Sequence, residues 1–390
     1  MRTLLLCILC ILVACSNSSS STQPTSSTQT TTQTSPSTIS PQTAPAPQPN
    51  GSNTSTSTNN NNVTVRVDRR IELLSILHRL IGHTAYTSGP ATPYVKAVDV
   101  AFTPFANHPA VVATRALRAS HSITWDAPLL LAAHLDDQLQ LRNPDELPLL
   151  DPRFTGADLV SYAATLRDFA RDSKLDEFLT AHHPYVTAVE AGLRIILDQA
   201  KPVPWFDAFF GAKAKARYIV VPGLLTGNRN FGVRATLPDG TQEFYQVLGI
   251  RSPDGMPLND DLTVALLVHE MAHSYVNPLI DANRAAFESA GATLFALVEA
   301  PMKKQAYNNW KTFVDESLVR AVVVVYMLDR KGQAAANQEA QQQIRNEFRW
   351  TPVLAKLLLR YQTERAKYAD FAAFMPELIK TFNTLAADGK

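Results

Sequence analysis

The stretch LVHEMAHSYVNP, residues 267–278, sets His269 and His273 four residues apart, with Glu270 directly after the first. On a helix, positions i and i+4 lie on one face about a turn apart, so both imidazoles project the same way. Two neutral imidazole nitrogens placed like this can share one tetrahedral zinc ion. Glu270, displaced by one residue, can reach a water beside that ion without ligating it, which is where a general base is needed. The competing reading is a pair of core histidines satisfied by hydrogen bonds, with Glu270 at the surface. Leu262 to Val268 is nearly all apolar, so the helix is expected to be buried, and two histidines and a glutamate inside it need partners.

A catalytic zinc takes three protein ligands and leaves one position for water. A metzincin continuation would require Gly at 276 and His at 279, where the chain has Val276 and Leu279. None of the nine histidines lies downstream of His273, so a downstream third ligand has to be a carboxylate. The choices are Asp281, Glu288, Glu299, Asp315 and Glu316. Glu316 stands in TFVDESLVRAVVVVYML, a helical pattern that is apolar nearly all round. A charge there is costly unless it is paired or binds a metal. Glu316 is therefore the expected ligand, with Glu288 next. Arg320, one turn on, is placed to hold the Glu316 carboxylate, and a Glu316–Arg320 ion pair without a metal is the alternative. Tyr245, Tyr275 and Tyr326 are candidate donors to a developing oxyanion, none of them pinned by spacing.

These residues need a scaffold. Asp260 or Asp261 can cap the motif helix, and Pro278 is expected to end it at Asn277. RYIVVPGLL is a short apolar, β-branched run, and FGVRATL-PDG-TQEFYQVLGI is two strand-like runs around a Pro-Asp-Gly turn. A small antiparallel sheet is thus expected just before the motif helix. Elsewhere helical periodicity dominates: a helix capped by Asp68 and ending at Gly82, then HPAVVATRALRA, APLLLAAHLDDQLQL, TGADLVSYAATLRDFA and YVTAVEAGLRIILDQ, and a helical stretch from about Ala335 to Ala387. His108, at the start of a helix, is read as structural. The expected fold class is α+β, predominantly helical.

The first residues, MRTLLLCILCILVAC, place Arg2 before an apolar run from Leu4 to Ala14 that is too short to span a bilayer, the pattern of a signal-peptide core. Leu12-Val13-Ala14-Cys15 resembles a bacterial lipobox, which implies cleavage before Cys15 and lipid on its sulfur; a plain secretory signal is the other reading. The expected organisation is a lipoprotein signal peptide at 1–14, a tether at 15–62 that begins with lipidated Cys15, and a zinc metallopeptidase domain at 63–390. The tether is almost only Ser, Thr, Asn, Gln and Pro, and is expected to be disordered. Cys7, Cys10 and Cys15 are the only cysteines, so the domain is expected to hold no disulfide. With 36 basic and 35 acidic side chains, no strong field draws the chain to nucleic acid. Membrane contact is expected through the N-terminal lipid alone, at the bacterial cell envelope, on the outer membrane or cell surface. The run Ala321–Val325 is too short to add a span.

An H-E-x-x-H helix with a Glu on a later helix resembles the gluzincin metallopeptidases. More narrowly, IELLSILHRL, FANHPAVV and HEMAHSYVNP resemble a family of bacterial lipoproteins that share a domain of unknown function with a predicted gluzincin-like site. The resemblance covers most of residues 63–390. It implies Zn2+ on His269, His273 and Glu316, and a peptide or protein substrate. Familiar gluzincins often carry E-x-x-x-D on the second helix, where this chain has Glu316-Ser317-Leu318-Val319-Arg320. The expected function is that of an envelope-anchored, zinc-dependent metallohydrolase, a peptidase. The other class of function is a non-catalytic surface binding or scaffold lipoprotein with a structural or relic zinc site.

Overall fold

The β-branched run Val63-Thr64-Val65 opens the fold as a short strand, β1 (Val63–Val65). The computed structural model describes residues 62–389. The expectations for the signal peptide, for lipidation at Cys15 and for the tether up to residue 61 therefore lie outside the described residues. No helix among the described residues is long and apolar enough to cross a membrane.

After β1 come ten helices in a row: α1 (Arg69–Leu80), α2 (Thr84–Thr87), α3 (Pro93–Phe102), α4 (Pro109–His121), α5 (Ala127–Ala133), α6 (Glu146–Leu150), α7 (Leu159–Asp172), α8 (Leu175–Ala181), α9 (His183–Ala200) and α10 (Pro202–Phe210). Asp68 caps α1 by accepting from the Arg70 amide, and His108 caps α4 by accepting from the Ala110 amide through Nδ1. Helix α5 stops well short of the expected end of its sequence pattern. Past it, Asp136 Oδ1 accepts from the amides of Gln138 and Gln140, drawing the backbone into a turn closed by the Leu135–Leu141 bridge.

Strands β2 (Ala216–Gly223), β3 (Phe231–Thr236) and β4 (Gln242–Gly249) complete a sheet of order β1-β2-β4-β3. The Pro238-Asp239-Gly240 turn joins β3 to β4 as an antiparallel hairpin, with Gly240 at φ +79° and the Thr241 amide donating to Asp239 Oδ1. The sheet as a whole is mixed, not antiparallel: β2 runs parallel to both β1 and β4. A parallel pair needs a long crossover, and the helices α1 to α10 supply it between β1 and β2. The strand alternation separates two cores. Tyr218, Val220, Phe244 and Leu248 face one, while Ile219, Val221, Tyr245, Val247, Phe231 and Val233 face the other. Helices α1 to α8 fill the second of these.

The first core is closed by α11 (Asp261–Ala282), α12 (Arg284–Lys304), α13 (Trp310–Lys331), α14 (Gln333–Arg345), α15 (Thr351–Thr363) and α16 (Met375–Asp388). Every residue of α13 from Thr312 to Met327 is buried, and the helix packs against α11, α12, α14 and α15. The result is an α+β fold in which helices predominate.

Pro278 does not end the motif helix; α11 runs on to Ala282. Pro278 leaves the Ser274 carbonyl without its usual donor, but the extra turn buries Ile280 completely and pairs Asp281 with Lys311 of α13 at 2.7 Å. Burying an isoleucine contributes about 1.5–3 kcal/mol, enough to offset much of a mid-helix proline.

Candidate metal centre

Asp260 caps α11 by accepting from the Thr263 amide, and the apolar residues that follow bury the helix between the sheet and α13. That burial carries the polar motif inside. His269, Glu270 and His273 are 8%, 3% and 7% exposed, and Glu316 of α13 is fully buried.

The three expected ligands converge. His269 Nε2 and His273 Nε2 lie 3.2 Å apart, His269 Nε2 is 3.5 Å from Glu316 Oε2, and His273 Nε2 is 3.4 Å from Glu316 Oε1. Two ligand atoms about 2.05 Å from a tetrahedral zinc are about 3.3 Å apart, so the observed triangle has the size such an ion requires. Glu316 Oε1 and Glu270 Oε2 are buried and have no hydrogen-bond partner among the described residues. A buried carboxylate oxygen without a donor is costly, and a cation between the three side chains removes that cost at Glu316. The residues present therefore fit a metal ion, and the group offers three ligand atoms, one from each side chain.

The supporting contacts fix the ligands. Asn277 Oδ1 accepts from His273 Nδ1 at 3.1 Å, which leaves Nε2 as the free lone pair. Arg320 donates to Glu316 Oε2 at 3.0 Å. The guanidinium is itself held by the Tyr307 hydroxyl and Gln343 Oε1 and lies 4.1 Å from the centroid of the Phe348 ring.

The electrostatics follow from burial and from this pairing. Burial drives His269 down to about 3, keeping it neutral as a ligand must be. Burial also depresses His273, but the Glu316 carboxylate, 3.4 Å from Nε2, outweighs it and raises this imidazole to about 9. Burial alone would raise Glu316, yet Arg320 and the two histidines hold it well below the usual carboxylate range. A divalent cation between the three side chains would compete with a proton for His273 Nε2. Burial pushes Glu270 up to about 7.

Glu270 and His273 open onto a cleft of roughly 250 Å³, walled by Gly232, Arg234, Phe244 and Gln246 of the sheet and by Ser274 and Asn277 of α11. Gly232 is where the outer strand β3 meets Glu270: a Cβ there would lie 3.2 Å from Glu270 Oε2.

The other carboxylates considered as ligands lie elsewhere. Glu288 and Glu299 are exposed on α12, while Asp315 and Asp281 share Lys311 at 2.7 Å each. The three candidate tyrosines are not in the cleft wall. Tyr275, two residues past His273, points from the far side of α11 to Tyr218 and Asp207. Tyr326 donates to the Ala200 carbonyl. Tyr245 alternates with the cleft residues Phe244 and Gln246, so it faces the opposite core and donates to Glu243. Asn277 stands four residues after His273, and helical spacing alone could have pointed to it. Gly232, Arg234 and Gln246 carried no such signal.

Comparison with curated proteins and with solved structures returns no match. Residues 62–381 match the family described as Domain of unknown function (DUF4932). That span includes both histidines, Glu270, Glu316, Arg320 and every wall of the cleft, and the chain belongs to the DUF4932 family.

Proposed function

We propose that the cleft is the active site of a zinc-dependent hydrolase that cleaves peptide bonds. One observation carries the reading: His269, His273 and Glu316 form a metal-sized triangle beside a cleft whose wall holds an unpaired, buried carboxylate oxygen of Glu270. A closed structural zinc site has four protein ligands, whereas an open catalytic one has three, and the group here has three among the described residues.

When bound, the metal supplies a Lewis acid that polarises a substrate carbonyl and acidifies water. Glu270 Oε2, free of any internal hydrogen bond, takes a proton from water as its oxygen attacks that carbonyl, and returns it to the leaving amine as the C–N bond breaks. His273, oriented by Asn277, and Glu316, oriented by Arg320, are the residues that would hold the metal beside Glu270. Gln246, whose Oε1 is buried without a partner, offers a polar group from the cleft wall. The lipobox-like Leu12-Val13-Ala14-Cys15 adds to this reading a lipid anchor at the bacterial envelope, with the Ser/Thr-rich segment as tether.

The test is metal content of the purified chain by mass spectrometry, together with hydrolysis of a mixture of quenched fluorogenic peptides by wild type and Glu270→Gln. One zinc per chain in both proteins, with hydrolysis at least about 100-fold lower in the variant, is expected. Bound zinc with no hydrolysis in either protein would favour a scaffold lipoprotein with a structural site. No metal in a folded, metal-replete chain would reduce the centre to a buried ion cluster.

A further inference from the structure

The carboxylates in the cleft wall apart from Glu270 are all committed to ion pairs. Asp126 and Asp151 hold Arg153, and Asp281 holds Lys311. The basic side is not matched in this way. Arg234 is exposed on β3, lines the cleft, and has no carboxylate partner among the described residues. Its cross-strand neighbour is Phe244. Lys213 Nζ lies 5.7 Å from the centroid of that ring and 4.9 Å from that of Tyr275. Lys213 is held below its ordinary value by burial first and by the charge of Arg234 second, so the two cations are close enough to repel. Neither cation is paired with a carboxylate among the described residues. A ligand carboxylate would supply the counter-ion, and guanidinium binds it through two parallel hydrogen bonds.

The distance from the metal centre sets where that carboxylate belongs. A Cβ on Gly232 would lie 3.2 Å from Glu270 Oε2, and Arg234 follows on the same face of β3, about 7 Å further along the strand. A peptide extended along an outer strand repeats its side chains with the same period.

We propose that Arg234, backed by Lys213 and Phe244, is an anion subsite of the cleft. It selects peptides with a carboxylate about two residues from the cleaved bond, either an Asp or Glu side chain or the peptide's own C-terminus. This inference rests on the peptidase reading of the same cleft.

The test uses the full-length, metal-replete protein, its Arg234→Ala and Arg234→Glu variants, and Ala-rich octapeptides carrying Glu, Gln or Lys at a single position, with free or amidated C-termini. Arg234 is exposed, so its replacement leaves the core intact. Wild type is expected to favour carboxylate-bearing peptides at least about tenfold in kcat/KM, mainly through KM. Arg234→Ala is expected to lose that preference and Arg234→Glu to shift it toward Lys. A preference that survives amidation belongs to the side chain; one that vanishes belongs to the C-terminus. Should no peptide be cleaved, fluorescence anisotropy with the same labelled peptides decides. Salt-sensitive binding that needs both the carboxylate and Arg234 supports the subsite and rejects only the peptidase reading. Equal affinity or turnover for acidic and neutral peptides, an acidic preference that survives Arg234→Ala, or no binding of any peptide overturns the proposal.

Discussion

Replacing Glu316 with Gln keeps the shape of the side chain and removes its charge, which separates the ion pair seen at this carboxylate from the metal ligation proposed for it. The first role is electrostatic: Glu316 is fully buried and holds Arg320, 1% exposed, at 3.0 Å. Removing one partner of a buried pair costs about 3–5 kcal/mol, because the other charge is left without compensation. Tyr307 and Gln343 still solvate the guanidinium, so the lower part of that range is expected. Even this is a large share of the roughly 5–15 kcal/mol that stabilises a typical domain. The second role is ligation, and Gln carries no anionic oxygen for the metal. The double variant Glu316→Gln/Arg320→Met decides between the roles. It removes both charges, and replacing a buried ion pair by uncharged groups of similar volume is often neutral. Denaturant unfolding in the presence of chelator should place Glu316→Gln about 3 kcal/mol below metal-free wild type, with the double variant recovering at least half of the loss. Metal content should be lost in both. Stoichiometric metal in Glu316→Gln would refute ligation. A double variant no more stable than the single would refute the account of the buried pair.

Other perturbations probe neighbouring parts of the argument. Asn277→Ala removes the acceptor that fixes His273 Nδ1 and should weaken zinc binding about 10- to 100-fold in competition with a chelator; unchanged affinity would dismiss this hydrogen bond as a support. Gly232→Ala puts a Cβ 3.2 Å from Glu270 Oε2, so the carboxylate has to shift by a few tenths of an ångström. The fold should tolerate this within about 1 kcal/mol, while peptide hydrolysis drops about tenfold or more, since small misplacements of catalytic groups are expensive; full activity would mean that Glu270 is not held against β3. Glu72 of α1 is fully buried, and burial raises it from 4.5 to about 8 despite a hydrogen bond from Tyr94. Its folded value exceeds its unfolded one, so its contribution to stability is complete below about pH 4.5 and is lost as pH rises through about 8. Glu72→Gln should therefore gain on wild type between pH 5 and 8, by no more than about 1.4 kcal/mol per pH unit. A stability difference that stays flat over that range would contradict the burial argument.

Local sequence patterns made the candidate metal ligands legible, and distance in sequence hid the cleft. The i, i+4 spacing of His269 and His273 fixes their common face whatever surrounds the helix, and a charge in the apolar run of α13 has few ways to be tolerated. Both signals are local, and the structure brings His269 and His273 together with Glu316. Helical periodicity likewise marked most of the helices, and the Pro-Asp-Gly turn marked the hairpin. Local reasoning failed where tertiary burial outweighed it. Pro278 stops an isolated helix, but Ile280 and the Asp281–Lys311 pair draw α11 one turn further. Tyr275, Tyr326 and Tyr245 carry suitable hydroxyls, yet helix phase and strand alternation turn them away from the cleft. The parallel pairing of β1 with β2 joins Val63 to Tyr218 across the whole helical layer, a contact without a local trace. Arg234 and Gly232 gain their meaning only when β3 is laid along α11. Sequence by itself determined which side chains could bind a metal, because ligand spacing within a helix is set by covalent geometry. What the metal centre faces was decided by the packing of sheet against helix, which depends on many weak contacts between distant segments.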